Sequence, residues 1–283
     1  MSIRTQIVVA GLLAAAAATA QAQTAYTIGA GGGTLLSFDV ATPGVVTTVG
    51  SFNGAQTFLD GIDFRPLDGR LYGYLDSTDS FYTVDLTTAT LTLASVGPAA
   101  APSNTFHVGL DFNPQIDRLR LITDSSQNIV FNPNSGTAAS FTDLAYAVGD
   151  QNENASPAII ENAYDRNVAG TAATLQYAID YNLNALVTLA NNTGVLTTRG
   201  SLGIDVNEFT GFDIFTRNGD TAYAIFSNTT GSSFYTINLA TGAATAVGAI
   251  PSVDPLYGLA VIPAPSALGL LTAGLMFAGR RRR

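Results

Sequence analysis

The chain contains no cysteine, no tryptophan and no lysine, and His107 is its only histidine. Without cysteine it can form neither disulfides nor thiolate metal centres, so its stability must come from core packing. A single histidine excludes a multi-histidine metal site and leaves only one arrangement for a Ser-His-Asp system. No Gly-x-Ser-x-Gly turn supplies the serine, and we read His107 as structural or channel-lining. Glutamate is scarce too: Glu153, Glu161 and Glu208 are the whole set. Sugar stacking would have to use Tyr72, Tyr74, Tyr82, Tyr223 and Tyr235, since tryptophan is absent; their strand positions point to packing instead. No Gly-rich phosphate loop, basic patch or heptad run is present.

The two ends are unlike the body. Arg4, an uncharged apolar run over 7–19 and the small residues Ala20 and Ala22 form a signal-peptide pattern, with cleavage expected after Ala22. At the other end, the apolar run Ala267–Gly279 spans 13 residues and is followed by four arginines. At 1.5 Å per residue it covers about 20 Å, short of the roughly 30 Å hydrocarbon core. Pro263 and Pro265 block helical extension upstream. This end resembles the PEP-CTERM sorting signal of Gram-negative bacteria: a Pro-x-Pro-Ser motif, here Pro263-Ala264-Pro265-Ser266 with alanine in the usual glutamate position, then a hydrophobic helix and arginines. The resemblance implies processing by an exosortase-like enzyme after signal peptidase, with transient membrane contact through the tails only. Without Arg4 and Arg280 to Arg283, seven arginines face 21 acidic residues, a net charge of about −14. Such a body argues against nucleic acid and anionic lipid as partners and is compatible with divalent cations.

Between the ends the sequence repeats. "GIDFRPLDGRLYGYL" at Gly61, "GLDFNPQIDRLRLIT" at Gly109 and "GFDIFTRNGDTAYAIF" at Gly211 share one phrase, with weaker echoes at Ile159 and Tyr257. Starts near 61, 109, 160, 211 and 257 are spaced by 46 to 51 residues. Each phrase is followed by a second, as in "FYTVDLTTATLTLASVG" and "FYTINLATGAATAVG", where Asx opens a tight turn. Periods of this length holding four short strands are the signature of propeller blades. Residues 61–97, 107–141, 159–202 and 211–250 make four units, 25–52 supply three strands, and "YGLAVI" at 257–262 supplies the missing one. The expected fold is all-β: a five-bladed β-propeller closed by the C-terminal strand, with a signal helix and a short C-terminal hydrophobic helix outside it. The expected segments are a signal peptide over 1–22, the propeller over 24–262 and the sorting signal over 263–283; a β-sandwich or β-solenoid is the alternative. The body also resembles an exported bacterial domain-of-unknown-function family (number 4394), through "GIDFRP", "GLDFNPQIDRLRLITDSSQN", "LAYAVGDQN", "TLQYAIDYNLNALVTL" and "GVLTTRGSLG". That resemblance implies a repeat fold and brings no catalytic residues.

Asp63, Asp111 and Asp213 hold one position in the three strong copies, where the weaker copies have Ala163 and Ala260. If the first strands line the axis, the three carboxylates can approach one another, as a cation site or as the acids of a glycosidase, whose pair must stand about 5–9.5 Å apart. The plainer reading is a backbone acceptor repeated in each blade. In "GDQNENASPAIIE", Asp150, Asn152, Asn154 and Glu161 fall at positions 1, 3, 5 and 12 of an EF-hand spacing, but Ala155 replaces the required glycine and Pro157 follows. A polar loop with incidental calcium affinity fits better. The resulting expectation is a non-enzymatic, exported propeller of the outer envelope or extracellular matrix, needing no cofactor unless calcium, with exopolysaccharide as partner. The alternatives are a glycan hydrolase on the Asp positions and a calcium-dependent binding module.

Overall fold

The computed structural model describes residues 23–263 apart from 30, 32, 53–57, 97–107, 229 and 253. The signal segment, His107, Ala264 to Ser266 and the terminal apolar run therefore lie outside the described residues. Among the described residues no helix is long and apolar enough to cross a membrane.

Five small sheets form a ring, the five-bladed β-propeller expected from the repeat. The first blade holds β1 (Gln23–Gly29), β2 (Thr34–Asp39) and β3 (Val46–Ser51). The second is β4 (Gly61–Phe64), β5 (Leu71–Leu75), β6 (Ser80–Val84) and β7 (Leu91–Val96). The third is β8 (Val108–Asn113), β9 (Arg118–Thr123), β10 (Asn128–Asn132) and β11 (Thr137–Ser140), followed by the short β12 (Ala145–Tyr146). The fourth is β13 (Ile159–Tyr164), β14 (Gln176–Asp180), β15 (Ala185–Ala190) and β16 (Val195–Ser201). The fifth is β17 (Thr210–Thr216), β18 (Asp220–Asn228), β19 (Gly231–Ile237) and β20 (Ala244–Ile250), and β21 (Tyr257–Pro263) returns to the first blade beside β1.

The antiparallel meander of each blade follows from its turns. Asp85 Oδ1 accepts the amides of Thr87 and Thr88, and Asn238 Oδ1 those of Ala240 and Thr241. These side chains supply the acceptors that a tight turn leaves wanting. The first strands β4, β8, β13, β17 and β21 neighbour one another around the axis and are buried on both faces, including the single carboxylate that each of β4, β8, β13 and β17 carries. The fourth strands are largely exposed, as in β7 and β20. Packing between sheets uses aromatics: Tyr72 meets Phe112 edge-on at 5.3 Å, and Phe81 stacks on Phe131 at 4.1 Å.

Two details differ from expectation. Pro263 is the last residue of β21, paired with Gln23, and not the first residue past the fold. A strand end tolerates proline because the missing N–H falls where the ladder is already finishing. The long connection after β11 also adds a fifth strand to the fourth blade: β12 runs parallel to β16, with Ala145 N–H on the Gly194 carbonyl at 3.0 Å.

Candidate functional site

The repeated phrase builds the axis. Each first strand passes close to the next, and the glycine of Gly-x-Asp makes that approach feasible. A Cβ on Gly61 would lie 2.6 Å from the Val108 carbonyl oxygen, and one on Gly109 2.8 Å from that of Ile160. On Gly211 it would meet the Gly258 backbone at 2.8 Å. Two residues on, and so on the same face of the strand, the aspartate reaches across to the following blade. Asp63 Oδ2 accepts the Phe112 N–H at 2.8 Å, Asp111 Oδ1 the Tyr164 N–H at 3.3 Å, and Asp213 Oδ2 the Val261 N–H at 2.6 Å. Asp63 and Asp213 also accept the amides of their own successors, Phe64 and Ile214.

The backbone role and the convergence weighed against each other in the sequence are therefore both present. Carboxylate oxygens of Asp63, Asp111 and Asp213 lie within 4.8 Å of one another, and the three residues are 1–2% exposed. Burial, together with the charges of Asp213 on Asp63 and of Asp63 and Asp213 on Asp111, holds both well above the usual carboxylate range. Burial pushes Asp213 up to about 7, against the lowering effect of the Val261 and Ile214 amides. Its Oδ1 is buried and has no hydrogen-bond partner.

Glu161 adds a fourth buried carboxylate whose charge acts on Asp111. The fourth blade reads Glu161-Asn162-Ala163 where three others read Gly-x-Asp, so its carboxylate sits two residues earlier on the same strand face. Glu161 is 5% exposed, accepts a hydrogen bond from the Gly258 amide and is held well above its usual range by burial, with the charges of Asp213 and Asp63 adding to the effect. The sequence signal was available: of the two copies with alanine in the aspartate position, the one in the fourth blade has glutamate in the glycine position.

A second feature is the residue paired with the axial position on each second strand. It is Tyr72 opposite Asp63, Tyr177 opposite Ala163, Tyr223 opposite Asp213 and Tyr26 opposite Ala260, but Arg120 opposite Asp111. Arg120 is 3% exposed; it donates to the Tyr164 hydroxyl at 3.0 Å, the Asn191 carbonyl at 2.9 Å and Asn192 Oδ1 at 3.1 Å, and also to Asn128 Oδ1. Burial raises the Tyr164 hydroxyl to about 12, with Arg120 pulling the other way.

The polar loop is occupied by its own structure. Asp150 accepts from the Asn152 amide and, through both oxygens, from Thr198 on β16; Asn152 Nδ2 donates to Thr198 Oγ1. Asn154 sits at φ 70°, and Glu161, the twelfth position of the spacing, faces the axis. Tyr72, Tyr74 and Tyr223 are buried, while Tyr82 and Tyr235 are half-buried.

A groove of about 980 Å³ lies between the first blade and the chain entering β21, lined by Thr34, Leu36, Val45, Val46, Thr48, Ser51, Ser252 and Asp254 among others. Its walls combine hydroxyls with small aliphatic side chains.

A family model described as a domain of unknown function (DUF4394) matches residues 34–260. No curated protein matches the chain. Among solved structures, a chain of the crystal structure of a nidogen/laminin complex is 9% identical with a TM-score of 0.53, covering 84% of this chain and 98% of that one. A protein of unknown function from Bacteroides thetaiotaomicron is 15% identical with a TM-score of 0.47, covering 70% of this chain and 52% of that one. At 9% identity the likeness to the nidogen/laminin chain is one of fold.

Proposed function

Because the chain belongs to the family described only as a domain of unknown function (DUF4394), we propose its role from its own architecture: an exported, non-catalytic propeller that binds neutral polysaccharide in the outer envelope or matrix. The observation that carries this reading is the use made of the repeated aspartates. Each is engaged on the next blade's backbone and is buried, whereas a glycosidase needs an acid and a second carboxylate flanking an open sugar site. The groove beside β2 and β3 offers hydroxyl partners and apolar walls without a basic residue among its named lining, a chemistry suited to an uncharged sugar chain.

Export is part of the same reading. The ring begins at Gln23, directly after the small residues Ala20 and Ala22, and ends at Pro263, where the Pro-x-Pro-Ser motif starts. Signal peptidase and an exosortase-like enzyme would act outside the folded ring. Intact-mass analysis of the secreted protein tests this: a mature chain that retains 266–283 would sink the sorting assignment. For binding, affinity electrophoresis against neutral and acidic polysaccharides should show retardation in the neutral gels alone. Thr48→Arg, exposed on the groove wall, should weaken it at least tenfold with an unchanged melting temperature. Turnover of aryl glycosides that is abolished by Asp63→Asn would replace the binding reading with the hydrolase.

A further inference from the structure

We propose that the propeller axis is a divalent-cation site, selective for calcium, formed by Asp63, Asp111 and Asp213, with the charge of Glu161 nearby adding to its pull on the ion. The inference is independent of polysaccharide binding. It rests on three observations about one place in the fold.

Three carboxylates from three different blades bring oxygens within 4.8 Å of one another where both faces of every strand are covered, and the charge of Glu161, from a fourth blade, acts on Asp111. Buried like charges are costly unless neutralised by protons or by a cation. Hydrogen bonding alone does not complete the group: Asp213 Oδ1, buried within it, has no donor, although Oδ2 is engaged on Val261. A buried carboxylate oxygen without a donor is the kind of atom a metal ion satisfies.

The ligand chemistry favours one ion. The three aspartate oxygens lie within 4.8 Å of one another, close enough for one calcium at about 2.4 Å from each to bridge them, and calcium accepts a set of protein carboxylates in flexible geometry. Magnesium tends to keep several of its waters and suits an all-protein cage poorly. One divalent ion offsets two of the negative charges gathered at the axis.

Burial adds a kinetic consequence. With the aspartates 1–2% exposed, the ion is enclosed as β21 seats against β17 and Asp213 takes up the Val261 amide. Chelator added to the folded protein should therefore act slowly, and the informative experiment is refolding.

The full chain, unfolded in urea with chelator, is refolded in calcium, in magnesium or in chelator alone, desalted, and assayed by elemental analysis and thermal melting. The expected result is one calcium per chain and a melting temperature roughly 5–10 °C above the chelator sample, with little effect of magnesium. Asp213→Asn and Glu161→Gln should each refold with the calcium content and the thermal shift reduced. No retained calcium in the wild-type chain overturns the site, whatever the variants do. Full calcium retention in both variants places the ion elsewhere and overturns the assignment to these carboxylates. An equal shift with magnesium overturns the calcium selectivity. A melting temperature that rises on acidification and ignores calcium assigns the neutralisation to protons and overturns the metal.

Discussion

Asp213 Oδ2 accepts the amide hydrogen of Val261 at 2.6 Å, and this bond ties the last complete blade to the strand that closes the first. The equivalent bonds from Asp63 to Phe112 and from Asp111 to Tyr164 couple the second blade to the third and the third to the fourth. The blade-to-blade contact is thus not only apolar packing; at the axis it is a chain of carboxylate-to-amide bonds made by one repeated residue.

Removing such an acceptor leaves a buried N–H without a partner, which costs about 1–3 kcal/mol. Asp63→Ala should lose that much in a urea melt at pH 7 in chelator, because Phe112 and Phe64 both donate to this carboxylate. Asp63→Asn keeps an acceptor oxygen of the same reach and should lose less than half as much. Equal losses from the two variants would mean that charge, and not the hydrogen bond, is what the position supplies.

The axial acids also set a pH dependence whose sign is determined by their raised proton affinities. Below about pH 4 the folded and unfolded chains are both protonated at these groups, and their contribution to stability is fully present. As the pH rises, the unfolded chain ionises first, so stability falls until the folded groups ionise in turn, for Asp213 at about 7. Asp60, raised to about 6 by burial against the Asp76 amide and with the Asp76 charge adding, acts in the same direction. Asp117, held low by its hydrogen bond to Arg65, acts in the opposite direction, but its window lies below the ordinary carboxylate range. In chelator, stability should decline between pH 4.5 and 7.5, by up to about 1.4 kcal/mol per pH unit for each group still titrating. Asp213→Asn should make that decline shallower from about pH 4.5 to 7, with little difference above. A wild-type stability that is level or rising over this range would contradict the buried, mutually repelling cluster.

Glycine has two distinct uses here, and substitution separates them. Gly211 is demanded by crowding, since a Cβ would meet the Gly258 backbone at 2.8 Å, where nothing flexible can give way. Gly149 is demanded by conformation alone: φ is 80° and no atom lies within 4 Å of its Cβ position. Gly149→Ala should cost about 1 kcal/mol, the usual penalty for a left-handed backbone. Gly211→Ala forces two first strands apart and should cost at least twice that, or leave the chain unable to close. Similar losses in paired melts would show that the inner strands part easily, against the packing seen at the axis.

How far the residues foretold this arrangement depends on the distance over which each signal acts. The period of 46–51 residues and the Asx turns at Asp85 and Asn238 are local, and they were enough to place the blades and the closing strand. The meeting of Asp63, Asp111 and Asp213 was readable only as a conditional, because it depends on the blades actually forming a ring. Glu161 was passed over because its repeat copy is the weakest and its carboxylate is displaced by two residues. That displacement leaves the strand face unchanged but breaks the match of letters. Arg120 occupies a position that is tyrosine in the other four blades, and its partners Asn191 and Asn192 lie in a turn more than 70 residues away, beyond any local pattern. The β12 strand is two residues long and borrows its pairing from β16, so neither its length nor its composition marked it.

Closure of the ring by β21 makes the final prediction. The strand pairs with β1 from Gln23↔Pro263 to Ile28↔Tyr257, carries the Val261 amide that Asp213 requires, and places the Tyr257 hydroxyl 2.8 Å from the Leu59 carbonyl of the neighbouring blade. A chain ending at 256 would expose the inner edge of β1 and open the core in which Ile28, Ile62 and Tyr257 pack together. An exposed apolar strand edge invites pairing with another copy. The truncated chain should therefore run as oligomers or aggregate in size-exclusion chromatography, without a cooperative monomer melt. A chain of residues 23–263 should instead melt within a few degrees of the full-length protein, because the ring is complete between those two paired residues. A stable, cooperative monomer ending at 256 would show that the other four blades and β1 to β3 hold together without a clasp, and that the Asp213–Val261 bond is an accessory of the closed ring and not its closing step.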